Sequence, residues 1–194
     1  IEQGVQGLRI GLPKENFGDG IAAEVKEAIL KAATVYEKLG AKVEEISLPN
    51  INYALPAYYA ISSAEASSNL ARFDGIKYGF RADVDGDIDD IYKATRNEGF
   101  GMEVKSRIIL GNHVLSAENY DAYYKKAMQV RTLIIEDFNR AFEHYDFILS
   151  PATPTTAFKL GEKHRDPLVM FRCNVYTVPS NIAEIGRASC RERV

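Results

Sequence analysis

A chain of 194 residues with 46% hydrophobic and 26% charged content suits one medium globular domain, or a large piece of one. Its formal net charge of -3 excludes a general attraction to nucleic-acid phosphates, so any RNA contact must be local or made by a partner. No apolar run approaches the about 18 residues needed to cross a bilayer, and Ile1-Glu2-Gln3-Gly4 has neither the basic start nor the apolar stretch of a signal peptide.

Cys173 and Cys190 make no disulfide framework, and together with His113, His144 and His164 they show no metal-ligand spacing. A reduced, cytoplasmic protein is expected. The first residue is not Met, which leads to the expectation that the chain starts partway through a longer protein.

In chain order, Leu8-Arg9-Ile10-Gly11-Leu12 alternates before Pro13 and predicts a short strand. Ile21, Val25, Ala28, Ile29, Ala32, Val35, Tyr36 and Leu39 recur at helical spacing, and Gly40 supplies a stop. Ala41 to Leu48 predicts a second strand, ended by Pro49-Asn50. Strand, helix and strand with short connections form a βαβ unit, which favours a parallel pair.

The rest reads as mostly helical. Tyr58 to Phe73 is rich in Ala, Ser and apolar residues. Asp83 to Asp90 is an acidic surface loop leading into a helix start, and Asn97-Glu98-Gly99-Phe100-Gly101 interrupts the next helical stretch. A long helix is expected from near Ser116, with Tyr120, Tyr123, Tyr124, Ala127, Val130, Ile134, Phe138 and Phe142 as its buried stripe. Asp146 to Leu149 reads as a short strand that enters an extended loop, Ser150-Pro151-Ala152-Thr153-Pro154-Thr155-Thr156.

The segment from Glu184 to Val194 has no helical or strand period, and its arginines are crowded. A basic solvated tail is the plain reading. The sharper one is a non-native tail, an in-frame translation of a sequencing adapter, set apart from fold reasoning.

Six stretches in this order carry a resemblance. They are Leu8 to Glu15, Tyr58 to Gly75, Arg96 to Gly111, Tyr120 to Ile134, Asp146 to Thr156 and Thr177 to Ala183. The most distinctive runs within them are Ala66-Ser67-Ser68-Asn69-Leu70-Ala71-Arg72-Phe73-Asp74-Gly75 and Asn97-Glu98-Gly99-Phe100-Gly101. Together they resemble the A subunits of glutamyl-tRNA(Gln) and aspartyl-tRNA(Asn) amidotransferases, a branch of the amidase-signature family.

The resemblance implies an α/β fold, part of the amidase-signature α/β/α architecture, with a mixed sheet covered by helices. Residues 1–183 would be the C-terminal part of one such domain, and 184–194 the foreign tail. It implies hydrolysis of glutamine by a Ser–cis-Ser–Lys triad that lies upstream of this chain. Ser62-Ser63 and Ser67-Ser68 sit in an Ala-rich helical context, where small residues permit close packing. No Ser-His-Asp constellation stands out.

Of the residues present, the resemblance assigns Arg107 to the glutamine carboxylate, where a planar guanidinium fork can bind two oxygens. It places Tyr58 near the amide through its backbone. At the position of an aspartate facing the ammonium this sequence has Asn174, which can accept a hydrogen bond but carries no charge. No cofactor is expected in this chain; ATP and Mg belong to a B subunit, which would also hold the tRNA, and a C subunit completes a heterotrimer. The alternatives are a stand-alone small-amide amidase of the same fold, and a non-catalytic assembly module.

Overall fold

The computed structural model describes residues 4–77, 79–159 and 167–186, with the backbone alone for 167–169. His164, Cys190 and the 187–194 part of the expected tail lie outside the described residues. In chain order the elements are β1 (Arg9–Pro13), α1 (Ala23–Lys38), β2 (Lys42–Ile46), α2 (Ala54–Leu70), α3 (Ile88–Gly99), α4 (Met102–Leu115), α5 (Lys126–Phe142), β3 (Phe147–Ile148), α6 (Pro167–Arg172) and α7 (Val178–Ile182). Short 3-10 helices occupy Lys14–Phe17 and Pro49–Tyr53, and a π-helical turn occupies Asp121–Lys125. Two compact units result, Ile1–Leu55 with Gln129–Val194, and Pro56–Met128.

In the first unit the three expected strands share one sheet, in the order β2-β1-β3. Ile10 stands opposite both Val43 and Phe147, and Gly11 opposite Glu44 and Ile148. The sheet expected to be mixed is parallel throughout in its described strands. Parallel neighbours require a long crossover, and each connection here contains at least one helix.

The helix read from Ile21 to Leu39 forms as α1, but its buried line is shifted. Ala33 is buried and Val25, Ile29, Ala32 and Tyr36 are half-buried, whereas Ala28, Val35 and Leu39 are exposed. A helix on a sheet buries a narrow stripe, and this sequence carries apolar residues around more of its circumference than that stripe covers.

Side-chain bonds tie the loops of this unit together. Glu15 accepts from Ser47 Oγ at 2.6 Å and from the Leu48 amide at 3.0 Å. Buried Asn16 donates from Nδ2 to Ser150 Oγ at 2.9 Å. The Ala22 amide donates to Pro154 O at 2.8 Å, which fixes the start of α1 on the Ser150–Thr156 loop. Thus the Leu8–Glu15 and Asp146–Thr156 stretches are structural neighbours. Glu184, the first residue of the expected tail, forms an ion pair with Arg131, whose Nε also donates to Ile182 O at 2.9 Å.

Along α5, Ala127, Ile134 and Phe138 are buried, whereas Tyr120, Tyr123 and Phe142 are exposed and Tyr124 is half-buried. The π-helical turn supplies the reason. Its wider winding breaks the helical phase, so Tyr120 before it and Tyr123 and Tyr124 within it do not continue the line of Ile134 and Phe138.

On the same helix Asp137 is only 2% exposed. One carboxylate oxygen accepts from the Asn50 amide at 2.9 Å and the other pairs with Arg140. Asp137→Ala would leave the Asn50 amide unpartnered, with an expected loss of about 1–3 kcal/mol. Asp137→Asn keeps an acceptor and should recover part of it. Urea denaturation midpoints of the three proteins check this; an alanine variant as stable as the parent would show that the carboxylate does not support the Pro49–Tyr53 turn.

In the second unit, Asp87 caps α3 by accepting from the Asp89 and Asp90 amides at 2.9 and 3.0 Å. The helical stretch breaks at Phe100–Gly101, within the expected interruption, while Asn97, Glu98 and Gly99 still belong to α3. Ser63 and Ser67 of α2 are buried, and they face buried Gly111 of α4. A Cβ at Gly111 would collide with the Ser63 carbonyl oxygen and come within 2.6 Å of Ser67 Oγ. Here the small residues do serve close helix packing.

The two most distinctive sequence runs meet at Phe73 and Phe100, whose rings are edge-on with centroids 6.5 Å apart, and residues just before the second run hold the first. Arg96 Nη1 donates to Leu70 O at 2.9 Å and Phe73 O at 3.2 Å, satisfying carbonyls at the end of α2, and its guanidinium lies 5.0 Å from the Phe100 ring centroid. Gly75, at φ +75°, turns the chain against Thr95, whose buried Oγ1 accepts from the Ala82 amide at 3.1 Å.

Candidate functional site

The serine pairs offer no activated nucleophile. Ser62 Oγ and Ser63 Oγ are buried without a hydrogen-bond partner, and Ser67 Oγ donates to Ala64 O at 2.9 Å. His113 is exposed, with Nδ1 3.4 Å from Asn119 Nδ2, and His144 is exposed. Among the described residues no group of His, Cys, Asp and Glu is arranged to hold a metal ion. No described helix is long and apolar enough to cross a membrane.

Arg107 occupies a different kind of place. It lies on α4 one helical turn before Gly111, so the close α2–α4 contact fixes its backbone. Its side chain is 30% exposed. Nε donates to Glu103 Oε1 at 2.9 Å, an i,i+4 ion pair on the same helix. The guanidinium carbon lies 5.6 Å from the Tyr59 ring centroid, and the Tyr59 ring is edge-on to Tyr58 with centroids 5.3 Å apart. Burial acts to lower the Arg107 pKa, but the Glu103 hydrogen bond and charge outweigh it, with smaller contributions from Tyr58 and Tyr59, and the net shift is upward.

The guanidinium is therefore a permanent cation held at one nitrogen and braced on one face. Its terminal Nη groups have no hydrogen-bond partner among the described residues. Such a fork can take a carboxylate through two parallel bonds.

Of the three residues singled out from the sequence, Tyr58 and Arg107 come together through Tyr59. Asn174 belongs to the other unit, in the turn between α6 and α7, where it is exposed. Its carbonyl accepts from the Thr177 and Val178 amides at 3.1 and 3.0 Å and from Thr177 Oγ1 at 3.2 Å. Its side chain has no partner among the described residues. Nearby, burial pushes the Tyr176 phenol pKa up. Sequence reasoning missed Glu103 and Tyr59. The Glu-x-x-x-Arg spacing on a predicted helix was a readable signal for the first; only the packing of α2 on α4 reveals the second.

The family model described as Amidase matches residues 1–191. The chain belongs to the amidase family. Within that family, it is 56% identical over 181 residues to the A subunit of glutamyl-tRNA(Gln) amidotransferase from Geobacillus sp. (strain WCH70), covering 93% of this chain and 37% of that protein. It is 57% identical over 189 residues to the protein of the same name from Caldanaerobacter subterraneus subsp. tengcongensis, covering 97% of this chain and 39% of that one. The crystal structure of the A subunit of glutamyl-tRNA(Gln) amidotransferase from Thermotoga maritima superimposes with a TM-score of 0.67 at 38% identity, over 93% of this chain and 34% of that one. A bacterial aryl acylamidase of the amidase-signature family matches with a TM-score of 0.57 at 21% identity, which establishes a common fold. This amidase-family chain thus spans under two-fifths of the length of the curated relatives it matches.

Proposed function

We propose that this chain is part of the glutamine-hydrolysing A subunit of a tRNA-dependent amidotransferase, which supplies the ammonia that converts Glu-tRNA(Gln) to Gln-tRNA(Gln). The observation that carries the reading is 56–57% identity to proteins of that name over more than nine-tenths of the chain. The site chemistry agrees with it. Glutamine is a zwitterion, and Arg107 offers a cation with an open fork for its carboxylate. Tyr58 would border the amide, and Asn174 would accept from the ammonium. The Ser–cis-Ser–Lys triad that forms the acyl-enzyme would lie in the part of the longer relatives that this chain does not span. ATP and Mg would act in the B subunit, with the tRNA, and a C subunit would complete a cytoplasmic complex. An acidic glutaminase component then needs little RNA affinity of its own.

The test is to assay the full-length protein with and without B and C subunits, using glutamine or free ammonia as nitrogen donor. Glutamine-dependent amidation of Glu-tRNA(Gln) by the assembled complex is expected. Hydrolysis of simple amides, with no gain from partners, would identify a stand-alone amidase instead. The 194-residue chain alone is expected to release no ammonia from glutamine, because substrate-binding residues without nucleophile and base form no acyl-enzyme. Release that disappears on mutating one of its own serines would overturn this. In the full-length protein Asn174→Asp should lower the KM for glutamine by placing an anion opposite the ammonium; an unchanged KM would remove Asn174 from the site.

A further inference from the structure

We propose that Glu103 is a positioning residue for Arg107, holding the guanidinium by Nε so that its Nη edge is presented end-on to the substrate carboxylate. The inference rests on the reading of Arg107 as the glutamine carboxylate ligand. An arginine side chain has many rotamers, and an unrestrained one loses much of that freedom when it binds. Here two contacts remove part of that freedom in advance. The Glu103 carboxylate fixes the Nε corner at 2.9 Å, and the Tyr59 ring supports one face of the plane at 5.6 Å. What remains open is the pair of terminal nitrogens, the edge that binds a carboxylate through two oxygens.

The location of Glu103 fits this role. It is in the first turn of α4, where the helix dipole favours an acid, and the i,i+4 spacing brings it beneath Arg107. Its side chain is 66% exposed, so the pair adds little to folding. Exposure also screens its repulsion of an incoming carboxylate, whereas the hydrogen bond to Nε acts at contact range. Orientation therefore outweighs repulsion, and the two effects predict opposite changes in KM.

The experiment uses the full-length amidotransferase complex with L-glutamine, comparing Glu103→Ala, Glu103→Gln and Arg107→Ala. Glu103→Ala should raise the KM for glutamine by about two- to tenfold, the scale of one net hydrogen bond, with kcat and the melting temperature little changed. Glu103→Gln keeps an oxygen acceptor at the same reach and should return KM close to the parent value. An unchanged or lowered KM in Glu103→Ala, with KM raised in Arg107→Ala, would overturn the positioning role alone. A glutamine variant as impaired as the alanine one would do the same, since the acceptor would not then be the cause. If Arg107→Ala itself left the KM unmoved, the ligand reading would fall and this inference with it.

Discussion

Arg107→Ala in the full-length enzyme is expected to reduce kcat/KM for glutamine by roughly ten- to hundredfold. The group removed is a charged donor to a carboxylate, an interaction worth about 1.5–3 kcal/mol, and each ~1.4 kcal/mol is a factor of ten. The expected effect on folding is much smaller. Among the described residues Arg107 Nε bonds only to Glu103 on its own helix, and the side chain is 30% exposed, so no buried group there loses its partner. Amidation with free ammonia in place of glutamine should survive, because ammonia needs no carboxylate site. Steady-state kinetics with the two nitrogen donors check both halves. Loss of both activities in a folded, assembled complex would assign Arg107 to an intersubunit contact or to the ammonia path.

Gly111→Ala is expected to act through stability. The new methyl would meet the carbonyl oxygen of Ser63, a backbone atom that cannot rotate away, as well as Ser67 Oγ at 2.6 Å. α2 and α4 would have to separate, and overpacking of this kind costs about 1–3 kcal/mol. Ser67→Ala added to Gly111→Ala should restore little, because the backbone contact persists. Thermal denaturation of the two variants tests this, and a parental melting temperature for Gly111→Ala would show that the helices do not approach so closely. Arg107 stands one turn along the same helix, so the surviving folded fraction should also show a raised KM for glutamine.

Much of this protein can be read from local sequence. The acidic run Asp83 to Asp90 leads into α3, Phe100-Gly101 ends it, and the alternation at Leu8–Leu12 with the crossover helix yields the parallel β1–β2 pair. The helix boundaries depend on neighbours a few residues away, so the sequence states them directly; the pairing that sets Arg9 opposite Lys42 follows instead from the short connections of the βαβ unit. The chemistry of Arg107 was legible only through its resemblance to a family, since an arginine on an amphipathic helix is ordinarily a solvated one.

The tertiary structure decided which side of each amphipathic segment is covered and what surrounds Arg107. Periodicity put Val35 and Leu39 on the apolar face of α1 and left Ala33 out; in the structure Ala33 is buried and the other two are exposed. The π-helical turn at Asp121–Lys125 moved the tyrosines off the α5 stripe, a phase change that counting residues at a fixed helical period does not register. Ser63 and Gly111, far apart in the chain, set the distance between α2 and α4, and that contact brings Tyr59 under the Arg107 guanidinium. Spacing along a chain places Glu103 one turn from Arg107 on the same helix face, but the ring beneath the cation comes from another helix, and the contact between the two helices is a property of the packed chain.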